Sequence, residues 1–387
     1  MNERIYLDWN ATAPLRAPAR TAMVAAMDVC GNPSSVHAEG RAAKHLVEDA
    51  REKVAALVGA TARDVVFTSG GTEANVFALW PFEGRTRLLV SSIEHPSVLA
   101  GGRFAPAAVE TVPVAADGRV DLLVLRRRLA ELAADGVRIF VSIMHANNET
   151  GVVQPICEAA QAVHERGGVL HVDAVQTAGR IPCDIKALGA DLLTVSAHKI
   201  GGPKGAGALI KRTEDSHLAP LLTGGGQERG ARAGTENVAA IAGFGASAEA
   251  ASAALRGIGA SYGHEAKDLR DRLEAGLRTA TPDVVIFGAD VERLPNTTLF
   301  SLHGLKAETA VIAFDLEGIA VSSGAACSSG KVAPSHVLAA MGVAPSLARG
   351  AVRVSLGPTT TERDIERFLE AWNKMSGALL KSRGIAA

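Results

Sequence analysis

The stretch "LLTVSAHKIGGPKGAGALI", residues 192–210, decides the fold. Its first five residues predict a buried strand, and Ser196, His198 and Lys199 stand at the end of that strand, before a glycine-rich turn and a second apolar run. A lysine directly after a buried strand is unusual as a purely structural residue, because desolvating its ammonium group is costly. Lysines in such places have lowered pKa values and form imines with carbonyl compounds. The stretch therefore predicts a strand that carries a reactive lysine at its carboxyl end.

A second strand end, in "VLHVDAVQTAG" (residues 169–179), carries an acid. Asp173 follows an almost wholly apolar run, so its charge needs a partner, and Gln176 stands close enough in sequence to reach the same site. Asp173 could instead only cap a turn. The 26 residues from Asp173 to Lys199 match one strand–helix–strand unit, which would place both side chains at the carboxyl edge of adjacent strands. Open α/β sheets bind their ligands at that edge.

A third stretch, "VVFTSGGTEANVFAL" (residues 65–79), runs from a predicted strand through Gly70, Gly71 and Thr72 into a predicted helix. Glycines let the backbone come close to a ligand, and a helix N-terminus offers free N–H donors to an anion. The pattern matches neither the dinucleotide-binding nor the Walker fingerprint, and an ordinary glycine-rich turn is the alternative. We interpret the stretch as a phosphate site.

These three stretches together fit one cofactor, pyridoxal 5′-phosphate (PLP), more specifically than any of them does alone. The turn would bind the phosphate, Asp173 the pyridinium nitrogen, and Lys199 the aldehyde, as an imine. Asp173 would keep that nitrogen protonated, so that the ring can accept electrons from a substrate carbon.

The remaining pattern predicts an α/β fold. Short apolar runs with mostly helix-length spacers indicate a buried, mainly parallel sheet covered by helices. These runs lie at residues 65–67, 87–92, 138–143, 168–173, 191–196 and 207–210. After about residue 260 the strand-like pieces become shorter, which is typical of an α+β domain. We predict a large cofactor-binding domain of residues 16–260 and a small domain formed by residues 1–15 and 261–387.

Composition narrows the class of protein further. The chain has 387 residues, 47% of them apolar, and a net charge of −1, which gives no sign of a nucleic-acid partner. Four widely spaced cysteines without a CxxC pair indicate a reducing compartment, and the N-terminus lacks the apolar run of a signal peptide. The most apolar segment, from Val238, is interrupted by Glu249 and Arg256 and suits a buried helix better than a membrane span. We predict a cytoplasmic protein.

The sequence closely resembles the cysteine desulfurases of the NifS/IscS type, within the class V aminotransferase family of PLP enzymes. Ten matching segments span essentially the whole chain in family order: "YLDWNATAP", "GNPSSVHAEGR", "FTSGGTEAN", "SSIEHPSVL", "MHANNETGVVQPI", "HVDAVQTAGRIP", "SAHKIGGPKGAGAL", "GGGQERGARAGTEN", "VSSGAACSSG" and "PSHVLAAMG". The resemblance implies an aspartate-aminotransferase-like fold, with a large domain around a mainly parallel sheet and a smaller α+β domain that carries a catalytic cysteine loop.

The resemblance also implies a role for each matching residue. Lys199 would hold PLP covalently, His95 would stack on the ring and move protons, Asp173 would pair with the ring nitrogen, and Gln176 would hydrogen-bond the phenolic oxygen. The phosphate would be held by Gly71, Thr72, Ser196 and His198, with Thr235 reaching the site of the partner subunit in a homodimer. Asn147 and Arg353 would bind the substrate carboxylate, and Cys327 would accept sulfur. Without the resemblance, His95 and Asn147 could be turn residues and Arg353 half of a surface ion pair.

The implied reaction removes sulfur from L-cysteine, giving L-alanine and a persulfide on Cys327. The persulfide would pass to a scaffold protein for iron–sulfur cluster assembly or to another acceptor, and the sequence leaves the acceptor open. No metal site is expected, apart from Cys327 as a candidate transient ligand of an iron–sulfur cluster. Because Cys327 stands in a run of small residues, we expect residues 325–333 to be mobile so that the thiol can travel. Trp9 and Gly201 replace a second asparagine and a histidine that the family commonly has, which puts details of the substrate pocket in doubt.

Several alternatives remain at this stage. Within the enzymes, the runner-up is a selenocysteine lyase or a desulfurase that prefers another sulfur or selenium amino acid. An ordinary aminotransferase would have no use for Cys327, and a sulfur-delivery scaffold without turnover would have no use for Lys199, Asp173 and His95. A dinucleotide-dependent enzyme lacks its fingerprint here, and a zinc enzyme lacks a Cys/His cluster with ligand spacing.

Overall fold

The computed structural model describes residues 4–81, 86–213, 218–257, 262–324 and 335–382, and all structural statements below concern these residues. Cys327 and the predicted mobile stretch 325–333 lie outside them. The strands are β1 Ile5–Tyr6, β2 Val65–Thr68, β3 Thr86–Ser91, β4 Val109–Val112, β5 Arg138–Met144, β6 Val169–Asp173, β7 Leu192–Ser196, β8 Gly207–Lys211, β9 Val285–Ile286, β10 Thr297–Ser301, β11 Ile319–Ala320, β12 Ser322–Ser323 and β13 Val352–Ser355. The α-helices are α1 Ala17–Met27, α2 Ala38–Leu57, α3 Gly71–Ala78, α4 Pro96–Leu99, α5 Leu122–Ala134, α6 Ile156–His164, α7 Val238–Leu255, α8 Tyr262–Ala280, α9 Ala307–Leu316, α10 His336–Ala340, α11 Pro345–Ala348 and α12 Glu362–Ser382.

A seven-stranded sheet in the order β2-β8-β7-β6-β5-β3-β4 forms the larger part of the molecule. All six predicted strands are present in it, and the sheet is mainly parallel as expected, with β8 antiparallel to both its neighbours. The strand missed from the sequence is β4, "VETV", which pairs only with β3 at the sheet edge. Three of its four residues are partly or fully exposed, so no continuous apolar run marks it.

Helix α7 is apolar enough to cross a membrane by length and composition, but its surroundings explain the apolar residues differently. Half of its apolar window is buried, because α7 packs against α1 and α2. A Cβ atom at Gly245 would lie 2.5 Å from the Cα atom of Ala50 in α2, so the two backbones approach as closely as glycine allows. The expectation of a buried helix is confirmed.

The connection between β6 and β7 differs from the prediction. Residues 174–191 form turns without an α-helix, so the predicted strand–helix–strand unit is wrong in its middle element. The prediction that these two strands end side by side is still met, since β6 and β7 are adjacent and parallel. Asp173 therefore ends one strand, and a short 3₁₀ helix at 197–199 brings Lys199 to the end of the next.

A second hydrophobic cluster joins the two ends of the chain. Ile5 and Leu7 are buried together with apolar residues between 273 and 372, including Phe314 and Phe368, whose rings stack with centroids 4.7 Å apart. This cluster contacts the sheet β12-β13-β10-β9, and β1 pairs in parallel with β11. The arrangement agrees with a small domain built from both ends of the chain, while the boundaries at residues 15 and 260 stay a prediction.

Neither of the two departures from the family pattern places a side chain in the cavity described below. Trp9 is buried against Gly357, where an added Cβ would come within 1.9 Å of the indole ring, so this tryptophan requires glycine at 357. Gly201 has φ +81°, a conformation that favours glycine, and an added Cβ would lie 2.6 Å from the Cγ of Arg16. Both positions are thus fitted to their own neighbours.

Candidate active site

A cavity of about 270 Å³ lies at the carboxyl edge of the large sheet. Nine of the residues predicted for the site line it: Gly71, Thr72, His95, Asp173, Gln176, Ser196, His198, Lys199 and Arg353. The topology explains this gathering, because β6, β7 and the β2–α3 turn all end at this edge.

Lys199 is held by the N-terminal segment of the chain. Its Nζ donates hydrogen bonds to the carbonyl oxygens of Asn10 at 2.6 Å and Ala11 at 2.9 Å. Both partners are neutral, and the ammonium group lies at the wall of the cavity. This arrangement directs the amine toward a ligand in the cavity.

Asp173 is buried, and its carboxylate is fixed from both sides. One oxygen accepts from the side-chain amide of Asn75 at 2.8 Å, and the other accepts from the backbone N–H of Val175 at 3.0 Å. Asn75 comes from α3, so the glycine-rich turn also supplies a group that orients the acid. A carboxylate oriented in this way can pair with a protonated ring nitrogen.

His95 caps a turn and also lines the cavity, while its role at the cofactor ring stays a prediction. Its Nδ1 accepts from the backbone N–H of Ser97 and so caps α4, while its ring lines the cavity. Because Nδ1 is an acceptor, the neutral ring carries its proton on Nε2. Burial lowers the pKa of His95 below its usual range, although the negative charge of Asp173 acts in the opposite direction.

The cavity wall around the N-terminus of α3 suits an anion. Gly71 and Thr72 begin this helix, whose first N–H groups have no partner within the helix. Ser196 and His198 line the cavity beside them. Burial, with help from the positive charges of Lys199, Lys204 and Arg180, lowers the pKa of His198 to about 4, so its ring is neutral at pH 7.

Arg353 is a buried residue, so the alternative of a surface ion pair is wrong. Its side chain is 2% exposed and pairs with Asp8 at 2.7 Å, and it also donates to the carbonyl oxygen of Asn148 at 3.0 Å. The Nε atom is buried and has no hydrogen-bond partner among the described residues. Arg353 also lines the cavity, and a guanidinium group at a cavity wall suits a carboxylate ligand.

Asn147 was predicted to bind the substrate carboxylate, and the structure corrects this assignment. Its side chain is fully buried outside the cavity, where its oxygen accepts from the backbone N–H groups of Glu149 and Thr150 and its amide donates to Ile93. These bonds make Asn147 a turn residue. The neighbouring Asn148 lines the cavity instead.

Thr235 is exposed and lies outside the cavity of its own chain. Because the prediction assigns Thr235 to the site of a partner subunit, it stays a prediction. The same holds for the role of Cys327, which lies outside the described residues.

Besides Asn75, Ser97 and Asn148, which line the cavity, sequence reasoning missed four further polar residues around it. They are Asn10 and Arg180, which contact Gln176 and Lys199, and two buried glutamates, Glu94 and Glu149. All four stand in segments that match the family, so their position in those segments was the available signal. Among the described residues, no group of three or more His, Cys, Asp or Glu side chains is arranged to hold a metal ion.

Glu94 precedes His95 and has a strongly shifted titration. One carboxylate oxygen accepts from the Ser91 hydroxyl and the Met144 N–H, each at 2.7 Å, and the other is buried without a partner among the described residues. Burial raises the pKa of Glu94 to about 8. Burial also raises the pKa of Glu149 to about 7, although the hydroxyl of Ser335 donates to its carboxylate.

Replacing Glu94 with glutamine is expected to change how stability depends on pH. As pH rises from 4.5 to about 8, the unfolded chain loses the Glu94 proton while the folded protein keeps it. The wild-type free energy of unfolding therefore falls across this window relative to Glu94→Gln. We expect the difference in melting temperature to widen by about 3 °C between pH 5 and pH 8. Glu308→Gln, at an exposed site, is the control, and parallel curves for Glu94→Gln and wild type would contradict the assignment.

The chain is similar over most of its length to known proteins of one family. Residues 5–368 match the aminotransferase class-V family. A cysteine desulfurase of Cereibacter sphaeroides is 42% identical over 95% of this chain and 94% of its own length, and a cysteine desulfurase IscS of Dictyoglomus turgidum is 39% identical over 97% and 95%. The X-ray structure of a NifS-like protein from Rickettsia africae superposes with a TM-score of 0.87 at 40% identity and covers 97% of this chain and all of that one.

Proposed function

The chain belongs to the class-V aminotransferase family, and from that premise we propose that it is a PLP-dependent cysteine desulfurase. The enzyme takes sulfur from L-cysteine, releases L-alanine and keeps the sulfur as a persulfide. The fold predicted from the sequence is confirmed by the NifS-like structural relatives and by the mainly parallel sheet.

One observation carries this proposal: a single cavity is lined by an amine, an oriented acid and a guanidinium group. Lys199, Asp173 and Arg353 all line it. The residues fit PLP, since Lys199 can hold the aldehyde carbon, Asp173 the ring nitrogen, and the start of α3 the phosphate. When bound, PLP supplies an acceptor for the electrons that the substrate Cα releases.

Each residue at the cavity would have its own role in the reaction. Arg353 and Asn148 hold the substrate carboxylate, which fixes the direction of the Cα–H and C–S bonds. Lys199 removes the Cα proton, and His95 moves a proton at the substrate sulfur.

The thiolate of Cys327 then attacks the sulfur. The C–S bond of cysteine breaks and an S–S bond forms, so L-cysteine and the Cys327 thiol become L-alanine and the Cys327 persulfide. No outside oxidant or reductant is needed for this balance.

We further infer a cytoplasmic homodimer that passes the persulfide to a scaffold protein, as in iron–sulfur cluster assembly. Thr235 is exposed and lies apart from the cavity of its own chain, which suits a contribution to a partner's site. Four large apolar side chains near the N-terminus are also exposed and would be covered in a dimer: Leu15, Val24, Met27 and Val36.

The proposed function is tested by incubating the purified protein with PLP, L-cysteine and a thiol reductant. Alanine and sulfide should form in equal amounts. Formation of 3-mercaptopyruvate without alanine or sulfide would support an ordinary aminotransferase instead, since transamination leaves the C–S bond intact. Faster turnover of L-selenocysteine, with little dependence on Cys327, would favour the selenocysteine lyase.

The two neighbouring asparagines allow a matched test of the corrected assignment. Asn148→Ala is expected to raise KM for L-cysteine about tenfold and to leave the melting temperature nearly unchanged, because it removes a polar group at the cavity wall. Asn147→Ala is expected to cost about 2 kcal/mol of stability, since it leaves buried N–H groups unsatisfied. Steady-state kinetics and thermal unfolding of both variants give the comparison. The reverse pattern would restore Asn147 as the substrate residue.

A further inference from the structure

Arg180 lies behind the cavity wall and touches three residues that form or support it. Its side chain is almost fully buried, and Nη1 donates to the Gln176 Oε1 at 2.6 Å and to the Asn10 Oδ1 at 2.7 Å. Nη2 reaches the backbone carbonyl of Lys199 at 3.4 Å. Nη2 also donates to the backbone carbonyl of Trp9 at 3.3 Å. Arg180 does not line the cavity itself, so it acts on a ligand through its neighbours and through its charge.

The contact with Gln176 decides which way that amide faces. A guanidinium group can only donate hydrogen bonds, so the oxygen of the Gln176 amide must point at Arg180. The NH₂ group then points the other way, where it donates to the carbonyl oxygen of Asn10 at 3.1 Å. Gln176 therefore offers the cavity a donor, whereas an unrestrained glutamine could offer either end.

The positive charge of Arg180 also affects the titration of a group at the cavity wall. It contributes, after burial and the charges of Lys199 and Lys204, to the lowered pKa of His198 at the cavity wall. The other titratable or charged groups at the cavity wall are His95, Asp173, Lys199 and Arg353.

We propose that Arg180 is a positioning residue that turns the Gln176 amide so that its N–H faces the phenolic oxygen of PLP, and thereby sets the pH at which the linkage to Lys199 loses its proton. The inference rests on the proposed function, because it requires bound PLP. A donor beside the phenolic oxygen stabilises the negative charge there and weakens its attraction for the linkage proton. Arg180 thus keeps the proton mobile near neutral pH, when the incoming substrate amine must exchange with Lys199.

The experiment follows the visible absorption of the PLP-loaded protein from pH 6 to pH 10 in Arg180→Met, Arg180→Lys and wild type. We expect the pH midpoint of the absorbance change to rise by about one unit in Arg180→Met, which is a tenfold change in proton affinity. The rise should be smaller in Arg180→Lys, which keeps the charge. Arg127→Met, at an exposed position, should match wild type. In a Gln176→Leu background the effect of Arg180→Met should shrink to less than half, because the amide is the intermediary.

An unmoved midpoint in both Arg180 variants would overturn the inference, as would a full shift that persists in the Gln176→Leu background. If Arg180→Met does not fold, Arg180→Lys decides the matter by the same measurement. A wild-type protein without a visible band on PLP addition would overturn the cofactor proposal and this inference together. A wild-type protein with the band but no alanine from L-cysteine would refute only the desulfurase, and the Arg180 titration would still decide the inference.

Discussion

Replacing Lys199 with alanine is expected to lower kcat on L-cysteine by about four orders of magnitude. The substitution removes both the amine that can hold PLP and the base that takes the substrate Cα proton. The structure gives no second amine in the cavity wall among the described residues, since Lys199 is the one lysine lining it. PLP should still bind through its phosphate and ring, but more weakly and without the visible band of a lysine-linked cofactor.

The measurements are alanine formation and the visible spectrum after gel filtration. Lys204→Ala is the matched control, because Lys204 stands in the same glycine-rich stretch and is exposed. If Lys199→Ala keeps a covalently linked cofactor after borohydride reduction, another lysine does the work and the assignment is wrong.

Replacing Cys327 with alanine is expected to leave the visible spectrum intact and to lower alanine formation about a thousandfold, because the sulfur loses its acceptor. The other thiols provide controls of two kinds. Cys30 and Cys157 are exposed, and their alanine variants should keep full activity. Cys183 is buried, and burial raises the pKa of its thiol to about 12, so it cannot substitute as a thiolate.

Labelled sulfur from L-cysteine sharpens the test. The label should remain on wild-type protein and on the Cys30 and Cys157 variants in the absence of reductant, and should be missing from Cys327→Ala. A Cys327→Ala protein that forms alanine at the wild-type rate would point to a lyase that needs no acceptor thiol.

The sequence predicted the fold and the centre of the site because both depend on local patterns. A strand that ends in Asp173 or Lys199 can be read from a dozen residues, and parallel strands bring such ends together. Arg180 and Glu94 were missed because a buried ionisable side chain is recognised by its partners, and some of these are far away in the chain. Asn10 stands 170 residues before Arg180, and Met144 stands 50 residues after Glu94.

The error at Asn147 has a different cause. Asn147 and Asn148 carry the same side chain, and a turn sends one amide into the backbone hydrogen bonds and leaves the other at the cavity. Neither composition nor periodicity distinguishes the two, since the choice depends on the local direction of the backbone.

The position of Asn10 has a consequence for synthesis on the ribosome. Its backbone N–H donates to the Ser355 hydroxyl, its amide donates to Thr297, and β1 pairs with β11. The carbonyl groups that hold Lys199 are thus fixed by residues translated about 300 codons later. The strands of the large sheet have all emerged once Lys211 is out, while the apolar N-terminal strand must wait for its partners. We therefore expect the site to be completed only after β13 has emerged, later than the strands of the large sheet.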